Sequence, residues 1–117
     1  MSRLLQTLLA AAALAAGCAG PEPFVPPTPS ITSPVDGVVL SVDSAGLGDV
    51  RGFTLRPTSS PFAFNFTLGT LENPTEFPPG HLAEHLASSQ PVRVYFRRSE
   101  NGEHIVYRLE DASPAAS

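Results

Sequence analysis

The sequence is short of cysteine and of positive charge. It has a single cysteine, Cys18, so no intramolecular disulfide can form. It has no lysine, and its seven arginines are outnumbered by eleven carboxylates, for a net charge of −4. Because phosphate binding depends on an excess of basic charge, the chain is a poor candidate for a nucleic-acid-binding protein.

The chain also lacks an apolar run long enough to cross a membrane. Residues 4–16 are almost wholly apolar, but this run is only about 13 residues long, where a spanning helix needs roughly 20. The run follows the short basic start Met1-Ser2-Arg3 and ends in small residues, which is the layout of a secretory signal peptide. We therefore predict that residues 1–17 are a signal peptide and that the protein is exported.

The end of this run resembles the lipobox of bacterial lipoproteins, here Leu14-Ala15-Ala16-Gly17-Cys18. The commonest lipobox has leucine three residues before the cysteine, where this chain has Ala15. The resemblance implies cleavage before Cys18 and acylation of its thiol and new amino group by fatty acids such as palmitate. Each buried methylene adds about 0.8 kcal/mol of membrane affinity, so several chains make a permanent anchor. Ala19 implies, by resemblance to Gram-negative sorting rules, the periplasmic side of the outer membrane.

Proline dominates the segment that follows Cys18. Six of the sixteen residues in 19–34 are proline, which favours extended polyproline II and predicts a semi-rigid tether over residues 18–34. At about 3.1 Å per residue, this tether holds a domain roughly 50 Å from the membrane. Residues 112–117 are small and polar and predict a disordered tail. The folded domain is therefore expected over residues 35–111.

Alternation of apolar and polar residues predicts five strands in this domain. The predicted inward residues, strand by strand, are Val38, Leu40 and Val42; Phe53 and Leu55; Phe62, Phe64, Phe66 and Leu68; Val92, Val94 and Phe96; and Ile105, Tyr107 and Leu109. The phenylalanine ladder of the third strand is expected at the centre of the core, each buried ring contributing about 1.5–3 kcal/mol. Between the third and fourth strands, residues 80–88 have helical periodicity, with Leu82 and Leu86 on one face.

The order β-β-β-α-β-β resembles the five-stranded OB-fold barrel. The chain is similar to small OB-like modules of bacterial lipoproteins and cell-envelope proteins, which share an opening G-x-V-x-x-V strand, here residues 37–42, and a late V-x-V-x-[YF] strand with a glycine hairpin, here residues 92–102. The resemblance implies a mainly β fold, a small barrel with one short helix between strands 3 and 4. Leu82 and Leu86 of that helix are expected to plug one barrel end. An eight-strand sandwich and an SH3-like barrel are the structural alternatives.

One candidate ligand site follows the outward face of the fourth strand. It consists of Arg93, Tyr95 and Arg97, with Val106 and Arg108 expected beside them. OB-folds bind oligosaccharides and other ligands across a strand face that carries aromatic and basic residues, so this face predicts a glycan- or anion-binding module. The alternative interpretation is a solvated sheet face whose arginines pair with nearby carboxylates, namely Glu100, Glu103 and Glu110.

A second candidate site is the segment His81-Leu82-Ala83-Glu84-His85, which has the H-x-x-E-H pattern of the inverzincin zinc proteases. Two histidines four residues apart on a helix lie within about 40° of each other, as two zinc ligands require. Such proteases place their third ligand, a glutamate, far downstream on another helix, whereas everything after Gln90 is predicted as strand. We therefore predict no protease, and keep metal binding by His81 and His85 with a carboxylate as an alternative to two structural histidines.

The sequence gives little support for a catalytic site of another kind. A cysteine nucleophile is not expected, because the one cysteine is predicted to carry lipid. We therefore expect a non-enzymatic, lipid-anchored interaction or structural module of the bacterial cell envelope, with no cofactor. Its expected partners are the membrane, through the anchor, and an envelope protein or glycan. The strand-face ligand site and a metal-binding protein built on His81, Glu84 and His85 are the two alternative functions.

Overall fold

A computed structural model of the protein describes residues 28–46 and 48–113. Its elements are β1 (Val35–Ser44), β2 (Val50–Pro57), β3 (Phe64–Leu68), a 3-10 turn (Pro79–His81), α1 (Leu82–Ser88), β4 (Val92–Arg98) and β5 (His104–Asp111). The strands form a closed barrel in the order β1-β2-β3-β5-β4. The predicted mainly β fold, a small five-stranded OB-like barrel with one short helix between strands 3 and 4, is confirmed.

Several sequence predictions concern parts of the chain outside this description. The signal peptide, Cys18, the first part of the tether and residues 114–117 of the tail lie outside the described residues. Within the described ranges, no helix is long and apolar enough to span a membrane.

Barrel closure depends on β1, the longest of these strands. Its first three residues pair with β4, and from Gly37 onward it pairs with β2, so Gly37 belongs to both ladders. β3 and β5 run parallel to each other, while the other neighbouring strands are antiparallel. A closed barrel leaves no long unpaired edge, which removes the main route by which sheets aggregate.

The barrel interior is a packed apolar core. Its members are Val39, Phe53, Leu55, Phe66, Phe77, Leu82, Val92, Val94, Phe96, Val106 and Leu109. Phe66 stacks on Phe53 with ring centroids 5.3 Å apart, and it meets Phe96 edge-on at the same distance. Offset and edge-to-face aromatic pairs of this kind add about 0.5–1.5 kcal/mol to the effect of burial. Side chains therefore fill the barrel, and a partner can only contact its outside.

The phenylalanine ladder lies only partly in this core. β3 begins at Phe64, so Phe62 precedes the strand and is 54% exposed. Phe62 lies in a bend, where its amide donates a hydrogen bond to Ser60 Oγ at 3.1 Å. Phe66 is buried as predicted, while Phe64 and Leu68 are half-buried. The prediction for Phe62 is wrong because the turn after Pro57 continues past it.

A β-bulge reverses the predicted inward face of β1. The register against β2 shifts between Val39 and Ser41, so Leu40 is an extra residue on β1. Val39 is buried and Leu40 is exposed, the opposite of the alternation predicted for them. Past the bulge, Val42 again packs against the core. One inserted residue is enough to move its neighbours to the opposite face, because side chains alternate along a strand with a period of two.

A second bulge, in β5, also changes which residues face the barrel interior. Arg108 lies opposite Tyr95, whereas Val106 lies opposite Phe96, so Tyr107 is the extra residue. Val106 is fully buried, and its predicted place on the outward face is therefore wrong. Leu109, beyond the bulge, is buried as predicted.

The helix closes one end of the barrel with a different face from the predicted one. Leu82 is fully buried, but Leu86 is exposed, and His85 is buried in its place. The helix is only seven residues long and is followed by Ser89, which has left-handed φ and ψ. The inward face therefore lies between Leu82 and His85 and places an imidazole at the barrel end.

Candidate functional sites on the strand face and at the helix end

The structure brings most of the predicted strand-face residues together. Arg93 and Tyr95 are half-buried on β4, and Arg108 lies directly opposite Tyr95 on β5. Arg97 is exposed near the end of β4, opposite Ile105. The outward face is thus a real surface of the barrel.

This face is a network of ion pairs. Arg93 donates from Nε and Nη2 to both oxygens of Asp36, at 2.8 and 3.0 Å. Glu110 accepts from the Tyr95 hydroxyl at 3.1 Å and from Arg108 Nε at 3.0 Å. The hydrogen bond from Arg108, helped by that from Tyr95, holds the pKa of Glu110 below its usual value. Arg93, Tyr95 and Arg108 therefore already bind carboxylates.

Two further acids lie close to the same face. Nη1 and Nη2 of Arg108 are 4.0 Å from Glu72 and 3.8 Å from Glu76. Glu110 was among the acids expected from the sequence, but Asp36, Glu72 and Glu76 come from distant parts of the chain. An anionic ligand here has to compete with these four carboxylates, so the face is not a concentrated positive patch.

The pair of Asp36 and Arg93 predicts a contribution to stability that is lost in acid. The hydrogen bond and charge of Arg93 hold the pKa of Asp36 below its usual value, against an opposing effect of burial. The pair therefore stabilises the fold above the ordinary aspartate pKa of about 3.9, and this contribution disappears as the pH falls through the lower folded-state pKa. Asp36→Asn should lower the Tm at pH 7 and flatten its fall between about pH 5 and pH 2.

Thermal denaturation followed by circular dichroism across this pH range measures the effect. Arg93→Gln removes the same pair from the other side and should give the same flattened profile. A wild-type profile in both variants would mean that the pair contributes nothing to acid sensitivity.

At the helix end, the two histidines converge on a residue that the sequence did not single out, Asp111. His81 Nε2 lies 3.1 Å and His85 Nε2 lies 2.7 Å from Asp111 Oδ1. One donor atom from each of the three residues lies within 4.8 Å of the others. Asp111 ends β5, 26 residues after His85, so only barrel closure brings it here.

The other ring nitrogen of each histidine is held by an acceptor. His85 Nδ1 lies 2.8 Å from the backbone oxygen of Gln90, and His81 Nδ1 lies 2.6 Å from Glu84 Oε2. A carbonyl and a carboxylate only accept hydrogen bonds, so each ring donates to these partners when Nδ1 carries the proton and to Asp111 when Nε2 carries it. Glu84 thus contacts His81 through the ring nitrogen that does not face Asp111.

A buried aromatic ring supports both imidazoles. Phe77 stacks on His85 with centroids 5.6 Å apart and meets His81 edge-on at 4.8 Å. Asn73 anchors the loop that carries Phe77. Its side-chain Nδ2 donates to the Leu109 backbone oxygen at 2.7 Å, and its backbone carbonyl accepts a hydrogen bond from the Phe77 amide at 2.9 Å. This loop therefore fixes the position of the imidazole rings against β5.

The helix-end site is buried on one side and open to a surface cleft on the other. It lines a surface cleft of about 340 Å³, formed by His81, Glu84, His85, Ser88, Gln90 and Asp111. The side chain of His85 is 5% exposed, whereas that of Asp111 is 69% exposed. The hydrogen bond from His85 holds the pKa of Asp111 below its usual value, with a smaller effect from His81 and an opposing effect of burial. The arrangement places two imidazole nitrogens beside an ionised carboxylate at the edge of this cleft.

The chain matches no protein-family model, and comparisons with characterised proteins and with solved structures find no match either. The OB-like character of the fold therefore rests on the order and pairing of the strands themselves. Function has to follow from the residues of this chain.

Proposed function

We propose that the protein is a lipid-anchored lipoprotein of the bacterial cell envelope whose OB-like barrel is a non-enzymatic interaction module. One observation carries the proposal: the only cysteine of the chain directly follows a short apolar run that ends in small residues. Cleavage before Cys18 and acylation there anchor the chain and leave no free thiol. In a Gram-negative cell, Ala19 directs it to the periplasmic side of the outer membrane.

The contacts at the start of the barrel support a defined spacing from the membrane. Ile31 packs against the core, and Ser33 Oγ accepts a hydrogen bond from the Phe96 amide at 2.9 Å. Of the predicted tether over residues 18–34, we therefore expect the part up to Ile31 to set the spacing. With its prolines in polyproline II, as the sequence predicts, that part would extend about 40 Å.

The packed interior supports contact with a partner through the outside of the barrel. The strand face is the less favoured place for a glycan or an anion, because Arg93, Tyr95 and Arg108 already bind carboxylates. An anionic ligand that displaced one of these carboxylates would break its hydrogen bonds and form only equivalent bonds to the same donors. The partner we favour is a protein or an uncharged glycan of the envelope.

Replacing Cys18 tests the anchor. The full-length chain is expressed in a Gram-negative host supplied with radiolabelled palmitate. The wild type should take up label and sediment with the outer membrane, because acylation anchors it. Cys18→Ser should lose essentially all label.

Ala19→Asp is the matched control, since it keeps the acylated cysteine. It should retain the label and move to the inner membrane. A wild type that takes up no palmitate, or Cys18→Ser protein that remains labelled, would contradict the proposal.

A further inference from the structure

We propose that His81, His85 and Asp111 form a binding site for one divalent transition-metal ion, and that the ion is zinc. The site joins the 3-10 turn and α1 to the end of β5. The proposal does not depend on the lipid anchor or on the interaction role of the barrel. It rests on how these three side chains and their hydrogen-bond partners are arranged.

The donor atoms are already close to the separation that a metal requires. Zinc bonds of about 2.0–2.1 Å in tetrahedral geometry put neighbouring donor atoms about 3.3 Å apart. The two Nε2 atoms lie 3.1 and 2.7 Å from Asp111 Oδ1. The imidazole rings are nearly perpendicular, with centroids 4.8 Å apart, so they approach from different directions. The third separation, between the nitrogen donors of the two imidazoles, is no more than 4.8 Å, so the rings draw together by up to about 1.5 Å around an ion.

The hydrogen-bond partners leave both Nε2 atoms available to a metal ion. When Nδ1 carries the proton and donates to Gln90 or Glu84, each Nε2 offers a lone pair beside the carboxylate of Asp111, and a metal ion takes the place of the Nε2 protons. Acceptors at such distances repel one another unless a proton or a metal ion lies between them. Metal-binding histidines almost always donate their other N–H to a carbonyl or a carboxylate. Gln90 and Glu84 provide these two acceptors.

The surroundings favour a partly open site. Phe77 restricts both rings on the buried side, which lowers the entropy lost when the ligands are fixed around an ion. Asp111 is largely exposed, so a water molecule can take a fourth position. Two imidazoles and one carboxylate suit zinc and its neighbours in the first transition row, whereas magnesium and calcium prefer oxygen ligands.

This arrangement differs from the protease signature that the histidines resemble. The third donor is an aspartate on a strand, and Glu84 binds the outer nitrogen of His81. The ion instead links the end plug of the barrel to its last strand. Since the unfolded chain does not hold these donors together, binding stabilises the folded protein.

The test is isothermal titration of Zn²⁺ into protein made from the full-length chain, purified without a histidine tag and stripped with a chelator. We expect one zinc per chain with a dissociation constant of about 1 µM or below. His81→Gln and Asp111→Asn should each weaken binding by about 100-fold or more, because each removes a ligand. Glu84→Ala should weaken it roughly 10-fold by releasing His81.

His104→Gln is the matched control. His104 is the third histidine of the chain and lies on β5 near Asn65, away from the helix end, so this variant should bind zinc like the wild type. Cobalt titration gives a second readout, in which visible absorption typical of four-coordinate Co²⁺ should appear in the wild type and in His104→Gln and be lost in His81→Gln and Asp111→Asn.

Three results would overturn the site. They are no saturable zinc binding by the wild type, unchanged binding by both His81→Gln and Asp111→Asn, or equal loss in His104→Gln. Circular dichroism checks that each variant is folded. If Asp111→Asn does not fold, His81→Gln decides the outcome, since His81 is only half-buried.

Discussion

Leu55→Ala should lower the free energy of unfolding by about 2–5 kcal/mol. Leu55 is 0% exposed and lies at the middle of β2, opposite Val39 on β1 and Phe64 on β3. Truncation leaves a cavity between strands that closed-barrel pairing prevents from collapsing. Because small domains have only about 5–15 kcal/mol of stability in total, a loss of this size threatens the fold at growth temperature.

Chemical denaturation followed by circular dichroism measures this loss, and Leu40→Ala is its matched control. Leu40 has the same side chain but is 43% exposed, beside the bulge in β1. Its truncation should cost no more than about 0.5 kcal/mol. Similar losses in the two variants would place Leu40 in the core and contradict the bulge.

Gly37→Ala should lower the free energy of unfolding by about 3 kcal/mol, although it adds only one methyl group. A Cβ at Gly37 would lie 2.5 Å from the Arg56 backbone oxygen and 2.8 Å from Pro57 Cα. These are backbone atoms of β2, so no side-chain rotation relieves the clash. The strands have to separate at the point where β1 passes from β2 to β4, which weakens barrel closure.

Gly80→Ala provides the comparison for this substitution. Gly80 lies in the 3-10 turn, and a Cβ there meets no atom within 4 Å. Its free energy of unfolding should stay within about 0.5 kcal/mol of the wild type. A Gly37→Ala variant as stable as Gly80→Ala would show that β1 and β2 are not in such close contact.

Features with a local cause could be predicted well. Phe53 and Leu55 on β2, and Val94 on β4, are buried as their alternation indicated. The bulges at Leu40 and Tyr107 insert the extra residue into β1 and β5, so β2 and β4 keep the side-chain period of two through these positions. The short helix was also found where its apolar spacing placed it.

Features that depend on strand pairing could not be predicted. Leu40 and Tyr107 are extra residues only because β1 and β5 bend to close the barrel. No local propensity marks either residue, and each bulge moves its neighbours to the opposite face. The prediction that Leu86 is buried was wrong for a related reason, because α1 is oriented so that His85 contacts the end of β5.

The candidate sites also depend partly on local sequence and partly on strand pairing. The chain alone indicated the order of the strands and the helix along the sequence, the spacing of His81 and His85, and the lone cysteine behind the proposed anchor, because each follows from residues close together along the chain. Only the tertiary structure decided that Asp111 completes a three-donor cluster and that Asp36 neutralises Arg93 from 57 residues away. Contacts between distant residues are set by how the barrel closes, which no short stretch of sequence encodes by itself.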